Sequence, residues 1–197
     1  MRDLTYFIAS TLDGYIADSS GGDPTDTSPG GFFLSQGDHS EPLFRAYPEM
    51  LPGAVRELLG LDASNKVFDT VLMGRKTWEL GTALGNTNSY PRLRNYVFSR
   101  TLTESPDPTV EFISTDPVAA VRELKKEDGL GIWLCGGGGL AETLWPEIDR
   151  LVVKVNPVVI GAGVKLFDGA DFAVRRLEMT DHQVYKSGLA VLTYRKA

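Results

Sequence analysis

Ile132-Trp133-Leu134-Cys135-Gly136-Gly137-Gly138-Gly139-Leu140-Ala141 reads as an apolar strand running into four glycines and then into a helix. A short apolar run bounded by turn residues suits a strand covered on both faces. The letters from Gly136 to Ala141 fit G-x-G-x-x-G/A at a strand-to-helix turn. Glycines there let backbone approach a pyrophosphate, and the start of the next helix favours its charge. An ordinary Rossmann domain carries this motif on its first strand, with an acid about 20 residues later for the ribose. Here the motif comes late, and the corresponding stretch, Val155-Asn156-Pro157, holds no acid. Phosphate binding by the glycines is expected; a Rossmann domain is not.

Outward from that turn, strand and helix patterns alternate. Leu4–Ala9, Val67–Met73, Asn95–Ser99, Val110–Ser114 and Leu151–Val155 read as further strands, the first buried on both faces. A helix is expected within Pro52–Leu59, where Val55, Leu58 and Leu59 form an apolar stripe. A short one follows at Arg75–Leu80. Asp116-Pro117 opens another, because Asp caps free N–H groups and Pro at the first helical position loses no donor. Val118, Val121 and Leu124 give its buried face, and Lys125-Lys126 suit its C-terminal end. A last helix, from about Leu140 to Trp145, is stopped by Pro146. Val174–Val184 and Leu189–Arg195, around Lys186-Ser187-Gly188, form a hairpin. The class is therefore α/β, a mostly parallel central sheet with an antiparallel C-terminal hairpin.

The 197 residues suit one domain, 1–197, with a long loop or insert at about 18–65. Of the 23 residues from 18 to 40, 18 are Gly, Pro, Ser, Thr or Asp, which predicts a long loop, either a functional lid or a plain floppy connection. With 42% hydrophobic and 23% charged residues, disordered and collagen-like classes are excluded. The net charge of −6 argues against a general binder of nucleic acid or anionic membrane. The most apolar stretch, Leu151 to Phe167, is interrupted by Lys154, Asn156 and Lys165, so it is no membrane span. Cys135 is the single cysteine, consistent with a cytoplasmic protein without an internal disulfide.

Two segments carry chemistry beside the glycines. In Met73-Gly74-Arg75-Lys76-Thr77-Trp78-Glu79, two cations stand at a helix start, where the dipole disfavours them. An anion bound between the helix start and those side chains resolves the mismatch, with the Thr77 hydroxyl as a further donor. Solvated surface charge is the bland alternative. If the second and third strands are parallel neighbours, Ser99 and Arg100 lie beside Arg75. Residues 75–100 hold five basic side chains (Arg75, Lys76, Arg92, Arg94, Arg100) and one acid, Glu79. Guanidinium groups match phosphate oxygens with paired hydrogen bonds, so this corner suits the 2′-phosphate of NADP.

These motifs together resemble one reductase superfamily. The segment Ala9-Ser10-Thr11-Leu12-Asp13-Gly14-Tyr15-Ile16-Ala17, the stretch at 73–79, Ser99-Arg100 and the glycine run at 136–139 are similar to those of the dihydrofolate reductase-like fold. Asn156-Pro157-Val158-Val159-Ile160-Gly161-Ala162-Gly163 followed by Leu166-Phe167 resembles the reductase domain of riboflavin biosynthesis and its stand-alone relatives. The resemblance implies a three-layer NADPH-dependent reductase acting on a small polar substrate. It also implies that Gly74, Arg75, Lys76 and Thr77 hold cofactor phosphate and that Ser99 and Arg100 flank the 2′-phosphate. Gly136 and Gly137 would form a Gly-Gly turn, often cis, against the cofactor. Gly138 and Gly139 would meet the pyrophosphate, with Ala9 and Ile16 near the nicotinamide. Homodimers, paired through strand edges and the C-terminal hairpin, are common in that subgroup.

The substrate side is less marked. Asp13 is the candidate catalytic carboxylate by motif, although Asp-Gly is also a favoured turn pair after a strand. A dihydrofolate reductase proper needs a carboxylate from 41–57 facing the pteridine. A non-catalytic NADP(H)-binding protein is the other alternative. His39 and His182 make no metal-ligand pattern with Cys135, so no metal is expected. Asp38-His39 is expected as a solvated loop pair, Cys135 as a buried strand-end residue, and Trp78, Trp133 and Trp145 as core or interface aromatics.

Overall fold

The strands in chain order are Leu4–Ser10 (β1), Tyr15–Ala17 (β2), Phe68–Gly74 (β3), Arg94–Phe98 (β4), Val110–Ile113 (β5), Gly131–Gly136 (β6), Arg150–Val155 (β7), Val164–Lys165 (β8), Leu177–Val184 (β9) and Ala190–Lys196 (β10). The helices are Ser40–Ala46 (α1), Gly53–Leu58 (α2), Arg75–Ala83 (α3), Pro117–Lys126 (α4) and Gly138–Thr143 (α5). The structure, a computed structural model, describes residues 1–83, 85–169 and 171–197.

Eight strands form one sheet in the order β5-β4-β3-β6-β1-β7-β10-β9, and β2 pairs with β8 in a separate ribbon. The neighbours from β5 to β7 are all parallel, and β10 runs antiparallel to both β7 and β9. The expected α/β class with its antiparallel hairpin is the class observed. Because the six parallel strands point the same way, their C-terminal ends share one edge of the sheet. In open α/β sheets, ligands bind outside that edge.

The sheet carries a core on each face, which makes three layers. Leu4 and Tyr6 of β1, Leu72, Leu134 and Val153 pack with Val121 and Leu124 of α4 and with Ala141 of α5. Phe7 of β1, Val71, Met73, Val97, Trp133 and Val152 pack on the other face with Trp78 of α3, joined by Leu43 and Tyr47. Successive β1 residues therefore serve opposite cores, which explains its continuous apolar run. At α4 the Asp116 carboxylate accepts from the Val118 N–H at 3.0 Å, as its sequence predicts.

Three expectations need correction. The apolar stripe assigned to α2 is not its buried face: Leu58 is 84% exposed while Arg56 is buried. Arg56 is inside because its guanidinium donates to the Pro48 and Ala63 carbonyls and so ties the turn before α2 to the chain after it. Lys125 stands in the last turn of α4, as expected. It is buried and its Nζ donates to Asp149 Oδ2 at 2.6 Å and to the Glu147 carbonyl at 3.0 Å. His39 is likewise buried, and residues 40–46, read as loop, form α1.

The 18–40 segment is docked on the molecule. The Leu34 N–H donates to Asn156 Oδ1 at 3.0 Å, just beyond β7. The Asp38 carboxylate accepts from the Lys186 and Ser187 N–H groups at 2.7 and 3.1 Å, which caps the β9–β10 turn. His39 Nδ1 lies 3.3 Å from Ser187 Oγ. Within this loop Phe33 is buried.

Candidate active site

The shared C-terminal edge brings together most of the residues that the sequence singles out. β3 ends at Gly74, beside the turn that ends β6. A methyl group built on Gly74 would lie 3.6 Å from the Gly137 nitrogen and 3.8 Å from the Gly136 carbonyl oxygen. The Gly136-Gly137 peptide is cis. Thr77, in the first turn of α3, faces the same two glycines: its Oγ1 would lie 3.7 and 3.5 Å from methyls at Gly136 and Gly137.

The last two glycines differ from each other. A methyl on Gly138 would fall 2.1 Å from the Lys165 carbonyl oxygen and 3.2 Å from Asp168 Cβ, so packing of the 165–168 segment requires glycine there. A methyl on Gly139 would meet no atom within 4 Å. Gly139 is exposed at the start of α5 and is the glycine of the pair that faces open space.

The cationic corner is smaller than the count of five basic residues implies. Arg92 pairs with Asp62, and Arg94 pairs with Glu127 and the Tyr96 hydroxyl. Arg94 opens β4 and lies at the opposite edge of the sheet. Arg75, Lys76 and Arg100 remain at this edge, Arg75 with its Nε 3.4 Å from Glu79 Oε1 one turn along α3. Arg75 Nη1 donates to Thr101 Oγ1 at 3.1 Å, which ties the start of α3 to the turn after β4. Ser99 is buried and its Oγ accepts from the Thr101 and Leu102 N–H groups at 3.3 and 2.9 Å. Its hydroxyl thus shapes that turn, and Arg100 stands exposed on it.

The first-strand motif forms a second wall. After β1, a tight turn closes by the Thr11 N–H donating to the Tyr15 carbonyl at 2.8 Å, with Gly14 at φ 85°. Ala9 is half-buried in β1, in register with Lys154 of β7, and Ile16 is buried in β2. Asp13, on that turn, is tied to the 158–163 segment. Its carboxylate accepts from the Gly161 N–H at 2.7 Å and the Ile160 N–H at 3.2 Å. The Thr11 hydroxyl first, and then these backbone donors, hold its carboxyl below the ordinary carboxylate range. A carboxylate so stabilised as the anion is a poor proton donor. Asp13 is a positioning residue that fastens the 158–163 segment to the first-strand turn.

The acids from 41 to 57 are placed elsewhere. Glu49 is fully buried, and its carboxylate accepts from the Lys66, Val67 and Phe68 N–H groups at the start of β3, the edge opposite the glycine turn. Glu41 is exposed and paired with Arg45, and Glu57 is exposed. The carboxylate that a dihydrofolate reductase proper needs is not supplied by this segment.

Sequence reasoning passed over Lys154 as a catalytic or binding residue. It used that lysine only to break an apolar run, yet a cation inside a buried parallel strand was itself the signal. Lys154 shares a sheet face with Val152 and Phe7, and its Nζ lies 5.9 Å from the centroid of the Phe7 ring. Cys135, at the end of β6, is on the same face, with Tyr90 packed beside it. Burial pushes the Cys135 thiol up to about 11, so at neutral pH it is a protonated, inert thiol. Among the described residues, no group of three His, Cys, Asp or Glu side chains is gathered to hold a metal ion. No helix among them is long and apolar enough to cross a membrane.

The site has the parts a dinucleotide needs: a glycine turn with one open side, a helix start beside it, and exposed cations at the flank. Similar proteins share the frame. The family described as the RibD C-terminal domain matches residues 2–191. Two Bacillus subtilis (strain 168) proteins, both described as uncharacterized, are each 31% identical to this chain. One is YwjB, with 84% of this chain and 83% of its own covered. The other is YyaP, with 64% and 73% covered. A crystal structure of a putative riboflavin biosynthesis protein from Shewanella sp. PV-4 superposes with a TM-score of 0.67 at 23% identity, over 100% of this chain and 99% of that one. A Thermotoga maritima diaminohydroxyphosphoribosylaminopyrimidine deaminase/5-amino-6-(5-phosphoribosylamino)uracil reductase superposes with a TM-score of 0.63 at 17% identity. This chain is covered in full but spans only 57% of that bifunctional protein.

Proposed function

As the chain belongs to the RibD C-terminal domain family, a family of reductase-like domains of riboflavin biosynthesis, we propose that it is an NADPH-dependent reductase of a small polar substrate. The reaction resembles the reduction of 5-amino-6-(5-phosphoribosylamino)uracil named for the Thermotoga relative. The observation that carries the reading is the junction of Gly74, the Gly136-Gly137 turn and the start of α3 at Arg75, with Arg100 on the adjacent turn.

Bound at this edge, the nicotinamide cofactor supplies a hydride. The chain's own residues bind and orient it. Arg75, Lys76 and Arg100 take the 2′-phosphate, and Thr77 and the N–H groups at the start of α3 add donors. Ser99 acts through the turn it braces. Gly136, Gly137 and Gly139 let the cofactor lie against bare backbone, and Gly138 keeps the 165–168 segment in place behind them. Ala9 and Ile16 flank the nicotinamide. The docked 18–40 segment covers the neighbouring face and keeps water from the hydride acceptor. We also propose a homodimer through the C-terminal hairpin, because β9 is an edge strand whose Met179 and Val184 stand exposed.

Thermal unfolding with NADPH, with NADH and without ligand tests the cofactor assignment. Ligand at 100 times its dissociation constant adds about 2.7 kcal/mol. For a domain of this size that raises the midpoint by roughly 5–10 °C. NADPH gives this shift, NADH a much smaller one, and Arg100→Ala brings the two together. Equal shifts for both cofactors would overturn the 2′-phosphate corner, and no shift with either would overturn the reductase reading.

A further inference from the structure

Among the described residues the buried cations Arg2, Arg56 and Lys125 hold carbonyl or carboxylate partners, whereas the half-buried Lys154, which borders the site, does not. Arg2 donates to Asp69, to Thr70 Oγ1 and to the Leu130 carbonyl. Arg56 holds two carbonyls, and Lys125 holds Asp149. Lys154 is half-buried near the C-terminal end of β7, and among the described residues its Nζ has no hydrogen-bond or ion-pair partner. Arg150 also leaves its Nε unpaired, but it begins β7 at the far edge of the sheet.

The neighbours of Lys154 are uncharged or unavailable to it. In register beside it are Ala9 on one side and Val191 on the other. Phe7 lies under its Nζ. Cys135 is a protonated thiol, and His39, whose pKa burial pulls down, is neutral at pH 7. Loss of water also pulls the Lys154 pKa down from its ordinary value, and no carboxylate opposes that effect. An ammonium that loses part of its water without gaining a partner is held at a cost, and a cation so placed beside the expected nicotinamide position is open to a partner that arrives from solution.

We propose that Lys154 is the specificity-determining cation of the substrate pocket, pairing with an anionic oxygen of the hydride acceptor beside Ala9. A single point charge on an aromatic floor fits a monoanion attached to a planar group. Two sources share that chemistry: a carboxylate, or the ionised oxygen of an acidic heterocycle. The assignment rests on the reductase reading, since it takes the face beside Ala9 to be where substrate meets cofactor.

The test uses two pairs on the full chain, with and without NADP⁺: benzoate against its isostere benzamide, and barbiturate against the neutral uracil ring that lacks its third oxygen. Binding is followed by calorimetry and by the Lys154 side-chain resonance in NMR. Wild type binds the anionic member of at least one pair tenfold or more tightly than its neutral partner, and only the anion shifts the Lys154 resonance. The pair that discriminates identifies the source. Lys154→Met abolishes the preference and Lys154→Arg retains it, while both keep the NADPH-dependent rise in unfolding temperature. The resonance reports on wild type alone, so a Lys154→Met chain that fails to fold leaves the test intact. No preference in wild type, a preference that survives Lys154→Met, or an unmoved Lys154 resonance would each overturn the assignment. A wild-type chain that binds NADPH but shows no anion preference refutes Lys154 alone; absence of NADPH binding in wild type refutes the reductase reading instead.

Discussion

Replacing Gly138 and Gly139 one at a time by alanine separates packing from ligand binding at a single turn. The Gly138 methyl would sit 2.1 Å from the Lys165 carbonyl oxygen and 3.3 Å from the Asp168 nitrogen, so the 165–168 backbone must retreat. The Asp168 N–H now donates to the Gly138 carbonyl at 3.2 Å, and that contact is strained by the same retreat. Overpacking of this kind costs about 1–3 kcal/mol. At about 2–4 °C per kcal/mol for a chain of this length, Gly138→Ala lowers the midpoint by roughly 2–12 °C. The Gly139 methyl meets nothing within 4 Å, and it stands inside α5, where alanine is favoured over glycine by up to about 1 kcal/mol. Gly139→Ala therefore keeps or slightly raises the midpoint of the free protein while reducing the shift that NADPH produces. Differential scanning fluorimetry with and without NADPH reads both effects. Equal destabilisation by the two variants would falsify the packing argument, and an undiminished NADPH shift in Gly139→Ala would remove that glycine from the cofactor surface.

Asn156→Ala removes the acceptor for the Leu34 N–H and frees the 18–40 segment, so limited proteolysis cuts there at least several times faster, with a stability loss of about 1 kcal/mol. An unchanged cleavage rate would show that Asp38 alone holds the loop. Glu49→Gln turns part of an acceptor for three backbone N–H groups into a donor, which costs about 1–3 kcal/mol in urea unfolding yet leaves the NADPH preference unaltered. A selective loss of cofactor binding would contradict its placement at the far edge. The Asp13 carboxyl has a depressed pKa in the folded protein, so its stabilising effect is complete above the ordinary value of 3.8 and is lost as pH falls through the lower folded value. In hydrogen exchange the Ile160 and Gly161 amides lose protection over that acid range in wild type, and Asp13→Asn loses it already at neutral pH. Equal protection in both would deny Asp13 its fastening role.

The elements legible in the sequence are those whose signal is local. Asp116-Pro117 announces α4 by capping chemistry alone, and the continuous apolar runs of β1 and β6 report burial on both faces. Gly74, Arg75, Thr77 and Arg100 converge because parallel strands end at one edge, so adjacency of β3 and β4 sufficed to place them. What escaped depends on partners distant in the chain. Arg94 looked like part of the phosphate corner until Glu127 and the direction of β4 placed it at the opposite edge. Arg56 and Lys125 look like surface charges, and only carbonyls and a carboxylate brought in by other segments explain their burial. Gly138 and Gly139 are identical letters, separated only by where Lys165 passes.

The placement of β1 has a consequence for how the chain is made. Leu4 pairs with Ile132 and Ser10 with Val155, so β1, synthesised well ahead of β6 and β7, must wait for them before its neighbours exist. At 5–20 residues per second on the ribosome, that interval is roughly 7–30 s. Throughout it the Leu4–Ser10 segment is an apolar ribbon without a mate, and the sheet can close only late and through contacts of high sequence separation, which makes folding slow. A chain stopped before residue 131 would keep β3, β4 and β5 as a short sheet but leave β1 unpaired, a species prone to cling to chaperones or to itself.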